Sequence, residues 1–311
     1  MERAKRKYAL ITGGSTGIGY ELAKLFARDD FNLVIIARDN EELARVKNEL
    51  ERGYQIRVVT LEKDLFNLEA PKEIYNELKA ENIHIDVLVN DAGQGEYGFF
   101  DEIDIERHMD LVKLNVMAPM CLIKLFLPDM VERNEGRILN LASMLSKNPS
   151  PLLAVYAATK AFMYSLTMSL RNELQDTGVT VTALLPGATD TDFFAKAGAL
   201  NTKEYHGNKS DPADVAKAGY EALMKGEEKV VASGLMNKVM SAFSNITPDS
   251  ALASTMRKGM QNLDGSEGKE GASQGEGYRM AASDKMRDDD KDERKNINNT
   301  DFEDSRHAPG E

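Results

Sequence analysis

Short apolar runs alternate along this chain with longer stretches whose apolar positions recur at helical spacing. Tyr8 to Ile11, Leu33 to Ala37, Ile56 to Thr60 and Val87 to Val89 are strand-like. Gly136 to Leu141, Val179 to Leu185 and Lys229 to Ala232 continue the series. Between them, Gly19 to Asp29, Asn40 to about Arg52, Leu68 to Ala80 and Val155 to Leu174 are amphipathic and predict helices. Continuous apolar strands separated by helices imply a sheet buried on both faces, because a half-exposed strand would alternate instead. The fold class expected is therefore α/β: a doubly wound parallel β-sheet with helices on both faces, in a single domain over residues 1–260.

Composition changes near Asn262. Residues 261–311 carry 14 acidic and 8 basic side chains, including the run Asp288 to Glu293, and show no apolar periodicity. Such a segment cannot offset its ordering entropy by burying apolar surface, so an acidic, disordered tail is expected. Just before it, Leu235, Met236, Val239, Met240 and Phe243 recur at helical spacing, a stripe suited to packing on the body, lining a substrate mouth or joining two subunits, of which core packing is the ordinary use.

Charge and composition narrow the classes. Across 311 residues, 39 basic and 51 acidic side chains give a formal net charge of −12. A field of that sign disfavours nucleic acid and anionic membranes as partners. Cys121 is the single cysteine, so no intrachain disulfide forms, and its apolar neighbours suggest a small buried hydrophobe. The basic start, Met1 to Lys7, runs into a strand interrupted by Gly13 and Gly14 rather than into a signal-type apolar run. No uncharged apolar stretch reaches the roughly 18 residues of a membrane span, so a cytoplasmic location is the default expectation. No metal-ligand pattern stands out.

Candidate chemistry starts at Thr12-Gly13-Gly14-Ser15-Thr16-Gly17-Ile18-Gly19, between the first strand and the first helix. Glycines let a backbone approach a pyrophosphate, and a helix amino terminus offers unpaired amides and a favourable dipole. The second strand ends at Ala37-Arg38-Asp39. A carboxylate at position 37 would favour an unphosphorylated ribose; Ala37 cannot, whereas the Arg38 guanidinium can pair with a 2′-phosphate. This favours NADPH over NADH, with Asp39 placed to neutralise Arg38 or to touch the ribose. Further on, Tyr156 and Lys160 share one face of a helix at i and i+4. A cation beside a phenol lowers its pKa, bringing it toward a useful acid at neutral pH. Ser143 closes the strand that ends at Leu141, where its hydroxyl can meet a carbonyl oxygen.

These motifs, in this order, resemble the short-chain dehydrogenase/reductase family, whose members have a single Rossmann-type domain. Its Thr-Gly-x-x-x-Gly-x-Gly is met by Thr12, Gly13, Gly17 and Gly19, and its Tyr-x-x-x-Lys by Tyr156 and Lys160, with Ser143 at the usual separation. The resemblance runs from about Tyr8 to Gly234. It implies that Asn115 holds a water in a proton relay, and that Asp64 and Leu65 lie near the adenine. It also implies that Asn90, Ala92 and Gly93 border the cofactor, and that Pro186, Gly187 and Thr191 contact the nicotinamide carboxamide. Together with Ser15, Thr16, Ile18 and Arg38, these complete the expected cofactor site. One departure appears: the family's usual Asn-Asn-Ala-Gly reads Asn90-Asp91-Ala92-Gly93 here.

The implied activity is NADPH-dependent interconversion of a carbonyl and an alcohol by hydride transfer, with Tyr156 as acid/base. Phe99, Phe100, Leu152, Leu153, Phe193 and Phe194 suggest an apolar pocket for a ketone or aldehyde, fed by loops at 94–100, 144–153 and 192–208. A nicotinamide-binding sensor or scaffold that recruits a partner through its acidic tail is the alternative; retention of Ser143, Tyr156 and Lys160 argues against it. A nucleotide-sugar epimerase would need a larger carboxyl-terminal domain. The family's habit of pairing long helices implies a homodimer or homotetramer.

Overall fold

The computed structural model describes residues 6–232 and 248–268. The apolar stripe from Leu235 to Phe243 and the acidic segment beyond Gly268 lie outside the described residues. The strands are β1 (Tyr8–Thr12), β2 (Asn32–Ala37), β3 (Val58–Glu62), β4 (Val87–Asn90), β5 (Gly136–Leu141), β6 (Val179–Pro186) and β7 (Lys229–Ala232). They form one seven-stranded sheet in the order β3-β2-β1-β4-β5-β6-β7, and every pairing is parallel. The order reverses between β1 and β4, which opens a crevice at the carboxyl ends of those strands.

Alternation along the strands divides the core in two. Ile11, Ile35 and Val89 face α1 (Gly17–Arg28), α2 (Asn40–Tyr54) and α9 (Pro212–Lys225), packing with Leu22, Phe26 and Val46. Leu10, Val34 and Leu88 face the other way, onto α3 (Ala70–Ala80), α5 (Ala118–Glu132) and α6 (Ala154–Glu173). Helix boundaries follow local chemistry. Asp39 caps α2 by accepting from the amides of Glu41 and Glu42, both at 3.0 Å, and Gln55 ends that helix in the left-handed region at φ 54°. The left-handed residue delays the next strand, so β3 begins at Val58 rather than Ile56.

Ile105–Glu132 is a continuous helical stretch, long and apolar enough to cross a membrane by length and composition. In this fold it is a core element: Leu111, Leu114, Leu122, Ile123, Phe126 and Met130 are buried. It comprises α4 (Ile105–Val112), a π-helical turn (Lys113–Met117) and α5. Pro119 lacks the amide that would meet the carbonyl of Asn115, and the looser turn accommodates that loss. Cys121 is half-buried rather than fully buried, because it lies on the flank of α5 between exposed Met120 and buried Leu122.

After β6 come α7 (Phe193–Ala197) and α8 (Lys203–His206), with α10 (Asp249–Gly259) following the undescribed segment. The chain from Gln261 to Gly268 packs with the body, so the domain extends past the expected boundary at residue 260. Asn262 is buried, donating to Ser266 Oγ and the Gly268 carbonyl, and the Gly268 amide donates to the Tyr97 hydroxyl at 3.1 Å. Hydrogen bonds do for this polar stretch what apolar burial does elsewhere.

Candidate active site

A cavity of about 870 Å³ runs from the glycine turn, past Tyr156, to the inner side of α10. Its first end is made by the turn between β1 and α1. Gly13 and Gly17 take positive φ, 70° and 56°. A Cβ on Gly13 would stand 3.1 Å from the Ala92 backbone, and one on Gly17 3.1 Å from the Thr191 methyl. Other side chains would be strained there and would fill the cradle. Thr16, the residue before α1, makes no side-chain cap, and no carboxylate occupies the first helical turn. That leaves helix-terminal amides facing the cavity beside Ser15 and Ile18, the donor set a pyrophosphate needs. The chain therefore fits a dinucleotide at this end.

The cavity continues along Ala37, Arg38, Asp64 and Leu65, the expected adenosine end. Arg38 is exposed with its guanidinium over the Phe66 ring, 5.2 Å from the centroid. Among the described residues no carboxylate pairs with it, because the Asp39 carboxylate is occupied in capping α2. The other cation there, Lys63, is already bound to Glu73 and Glu77 at 2.8 and 2.6 Å.

Mid-cavity, Ser143, Tyr156 and Lys160 come together with Ala92, Gly93, Pro186, Gly187 and Thr191 on the wall. Ser143 caps a short 3₁₀ turn, its hydroxyl accepting from the Leu145 amide at 3.1 Å. Burial pushes the Tyr156 phenol up to about 12, and hydrogen bonding with Ser143 pulls the other way. Lys160 was expected to lower that phenol. Instead its Nζ, 5.8 Å from the phenol ring centroid, donates to the Leu141 carbonyl at 2.8 Å. Burial brings the ammonium down to about 8, opposed by the charge of Asp91.

Four expected site residues stand behind the wall. Thr12 Oγ1 accepts from the amides of Asp91 and Ala92, both at 3.1 Å, and so shapes the loop. Gly19 makes room for Asp91, whose Oδ2 lies 2.5 Å from where a Cβ would be. Asn90 donates to Asn140 Oδ1 at 2.8 Å. Asn115 is buried and clamps the Gln94 backbone in both directions, at 2.8 and 3.0 Å, while also donating to Thr159 at 3.0 Å. Its side-chain amide is thus consumed in tying this helix to the Gln94 backbone and to α6.

Two features carried little or no sequence signal. Asp91, noted merely as a departure, places a buried carboxylate under the glycine turn. Its pKa is raised from 3.8 to about 7 by burial, against the charge of Lys160 and a hydrogen bond from the Gly19 amide. Met256 and Met260, far along the chain, line the outer end of the cavity. Of the expected apolar positions, Leu153, Phe193 and Phe194 line it. Leu152 is buried outside the lining, Phe99 packs near Gly268, and Phe100 is 63% exposed, stacked on His108.

The family model for short chain dehydrogenases matches residues 7–201, well over half the chain. The chain belongs to the short-chain dehydrogenase family. An uncharacterised oxidoreductase of Staphylococcus saprophyticus is 32% identical over 225 residues, covering 72% of this chain and 94% of that one. A short-chain dehydrogenase from Sphingobium yanoikuyae, solved with NADPH, superposes with a TM-score of 0.69 at 27% identity, over 78% and 97% of the two chains. A bulky-bulky ketone specific alcohol dehydrogenase from Comamonas testosteroni gives 0.66 at 26% identity, over 79% and 97%. This short-chain dehydrogenase is an NAD(P)-dependent oxidoreductase that interconverts carbonyl and alcohol by hydride transfer.

Asp91 gives the dehydrogenase a defined pH dependence. Its folded-state pKa is raised, so between about pH 4 and 7 the folded protein holds a proton that the unfolded chain has released. Stability contributed below that window is lost as pH rises through it. Asp91→Asn keeps an oxygen for the Gly19 amide but cannot titrate. The variant is expected to lose about 1–3 kcal/mol less stability than the parent across the window, measured by thermal melts at several pH values. Identical slopes would mean that Asp91 is ionised throughout.

Proposed function

We propose that the chain is an NADPH-preferring reductase of bulky, largely apolar ketones or aldehydes, working as a homo-oligomer. The observation that carries the cofactor preference is Arg38: a guanidinium at the adenosine end, held over Phe66 and with no carboxylate partner among the described residues. A planar, bidentate cation there suits a 2′-phosphate and gains nothing from a bare ribose. The Sphingobium relative, solved with NADPH, supports the same reading.

When bound, the nicotinamide supplies the hydride. The chain supplies the proton and the geometry. Tyr156 and Ser143 converge where a carbonyl oxygen would sit, and the phenol, pushed up to about 12, remains protonated at neutral pH as the reductive direction requires. Oxygen charge that develops during reduction meets the Tyr156 and Ser143 hydroxyls. Lys160, anchored on the Leu141 carbonyl, sets a positive field beside them. For substrate, Leu145, Leu153, Phe193, Phe194, Met256 and Met260 give a wide apolar wall. The Comamonas relative's specificity for bulky-bulky ketones agrees with a wall of that kind.

Self-association is supported by an exposed apolar stripe. Ile105, Met109 and Val112 are 64%, 47% and 37% exposed along α4, and Phe162 on neighbouring α6 is 41% exposed. Apolar side chains repeated on one face of a helix pair suit burial against a second copy.

Three tests follow from these arguments. Tyr156→Phe should bind NADPH as the parent does while kcat for ketone reduction falls about 100- to 10,000-fold; near-normal turnover would remove Tyr156 from the proton transfer. Arg38→Ala should raise KM for NADPH about 10- to 100-fold and leave NADH nearly unchanged; equal effects on both cofactors would end the 2′-phosphate assignment. Sedimentation should show a dimer or tetramer that dissociates in the double variant Ile105→Lys, Met109→Glu, and an unaltered assembly would place the interface elsewhere.

A further inference from the structure

Gly95, in the loop after β4, is buried and its φ is not positive, so turn geometry does not call for a glycine there. Space does. A Cβ at this position would stand 2.7 Å from Phe193 Cζ, 3.2 Å from Phe193 Cε2 and 3.6 Å from the Ala197 methyl. Carbon atoms in ordinary contact lie about 3.5–4.0 Å apart, so the outer edge of the Phe193 ring rests on bare backbone. Phe193 lines the cavity and Gly95 does not, which puts the ring between the glycine and the site. The same ring meets Tyr156 at 4.9 Å between centroids, tilted by 51°, and Phe194 edge-on at 5.6 Å.

The backbone under the ring is held from several sides. Arg107 on α4 donates to Gln94 Oε1 at 3.0 Å, to the Gly95 carbonyl at 3.3 Å and to the buried Glu96 carboxylate at 2.7 Å. Asn115 clamps the Gln94 backbone in both directions. The Tyr97 amide donates to the Ala197 carbonyl at 2.9 Å, which ties this loop to the end of α7, the helix that carries Phe193. Neither the loop nor α7 can retreat without breaking buried hydrogen bonds. Any side chain at position 95 must therefore displace the ring, and from behind the wall the open direction is forward, into the cavity. Restoring ordinary contact distance requires a shift of about 1 Å.

We propose that Gly95 is a positioning residue that sets how large a group the site accepts beside the reacting carbonyl. Its missing side chain lets the Phe193 ring sit back in the wall, and the room left beside Tyr156 takes a ring-sized substituent on the carbonyl carbon. Phe193 is the specificity residue that touches this substituent, and its aromatic surface favours a planar one. The preferred substrate class is then a ketone with an aryl group directly on the carbonyl carbon. This inference rests on the carbonyl-reductase reading above and refines its substrate.

The test uses the NADPH-loaded full chain with acetophenone, cyclohexyl methyl ketone and 2-butanone. These ketones differ in intrinsic reactivity, so the quantity read is kcat/KM of each variant relative to the parent on the same ketone. In Gly95→Ala the two ring-bearing ketones should lose about 10- to 100-fold, while 2-butanone changes less than about threefold. In a Phe193→Leu background the same Gly95→Ala change should cost the ring-bearing ketones less than about threefold, because the atoms that it strikes are gone. Phe193→Leu alone should cost acetophenone about 3- to 10-fold more than cyclohexyl methyl ketone, through loss of the aromatic contact. Equal losses on all three ketones in Gly95→Ala, or a loss undiminished by Phe193→Leu, overturn the proposal; equal losses of the phenyl and cyclohexyl ketones in Phe193→Leu overturn the aryl preference. Thermal shifts of the same proteins with the same ketones give a second readout. No turnover of any ketone would overturn the carbonyl-reductase reading. A larger shift with acetophenone than with 2-butanone, abolished in Gly95→Ala and regained in the double variant, would still establish the role of Gly95. Should Gly95→Ala fail to fold, folding of the double variant supports the contact with Phe193, and failure of both shows that the glycine is needed by the backbone and overturns the proposal.

Discussion

The site depends on how α6 is registered against the carboxyl ends of β4 and β5. That register is held by a chain of buried polar contacts. Asn90 on β4 donates to Asn140 on β5, Asn140 donates to Thr167 on α6, and Thr167 donates to the Met163 carbonyl one turn back. Lys160 adds a second tie from α6 to the end of β5, and Asn115 a third, through Thr159 to the turn that carries Tyr156. Apolar packing alone would let a helix slide along a sheet by a fraction of a turn with little change in buried area. Directional bonds among buried groups do not, because each displacement leaves a donor or acceptor unpaired.

That precision is bought with desolvation. Lys160 is buried, Tyr156 and Asp91 are half-buried on the cavity wall, and each is shifted toward its neutral form, to about 8, 12 and 7 respectively. The attraction between Lys160 and Asp91 offsets part of the cost without restoring either group to its ordinary range. Asp91 also accepts from the Gly19 amide, so the first turn of α1 and the Lys160 ammonium feel the same carboxylate.

The two ends of the cavity are built differently. The cofactor end comes from strand termini and the first turns of helices, where backbone geometry sets the shape. The outer end comes from α7, α8 and α10, short elements whose side chains set it. Hydrogen bonds rather than apolar burial hold the closing segment: Lys203 to Gln261, Leu263 to Asn201 and Gly268 to Tyr97. A cavity of this construction keeps one cofactor while its substrate end adapts, since changes in α8 or α10 leave the sheet untouched.

The alternation of apolar strands and amphipathic helices determined the parallel, doubly wound sheet, because burial on both faces leaves no other use for such runs. Spacing likewise marked Gly13, Gly17, Ser143, Tyr156, Lys160 and Arg38, whose roles depend on local backbone or on one helical turn. Tertiary structure alone decided the rest. Whether Arg38 is free depended on Asp39 capping a helix, and whether Lys160 acts on Tyr156 directly depended on the Leu141 carbonyl. That the Asn115 side chain is spent on the Gln94 backbone and on Thr159 followed from the loop that folds against it. Asp91 looks like an ordinary acidic residue in the sequence. Its meaning comes from what surrounds it, and desolvation is a property of a neighbourhood assembled from distant parts of the chain.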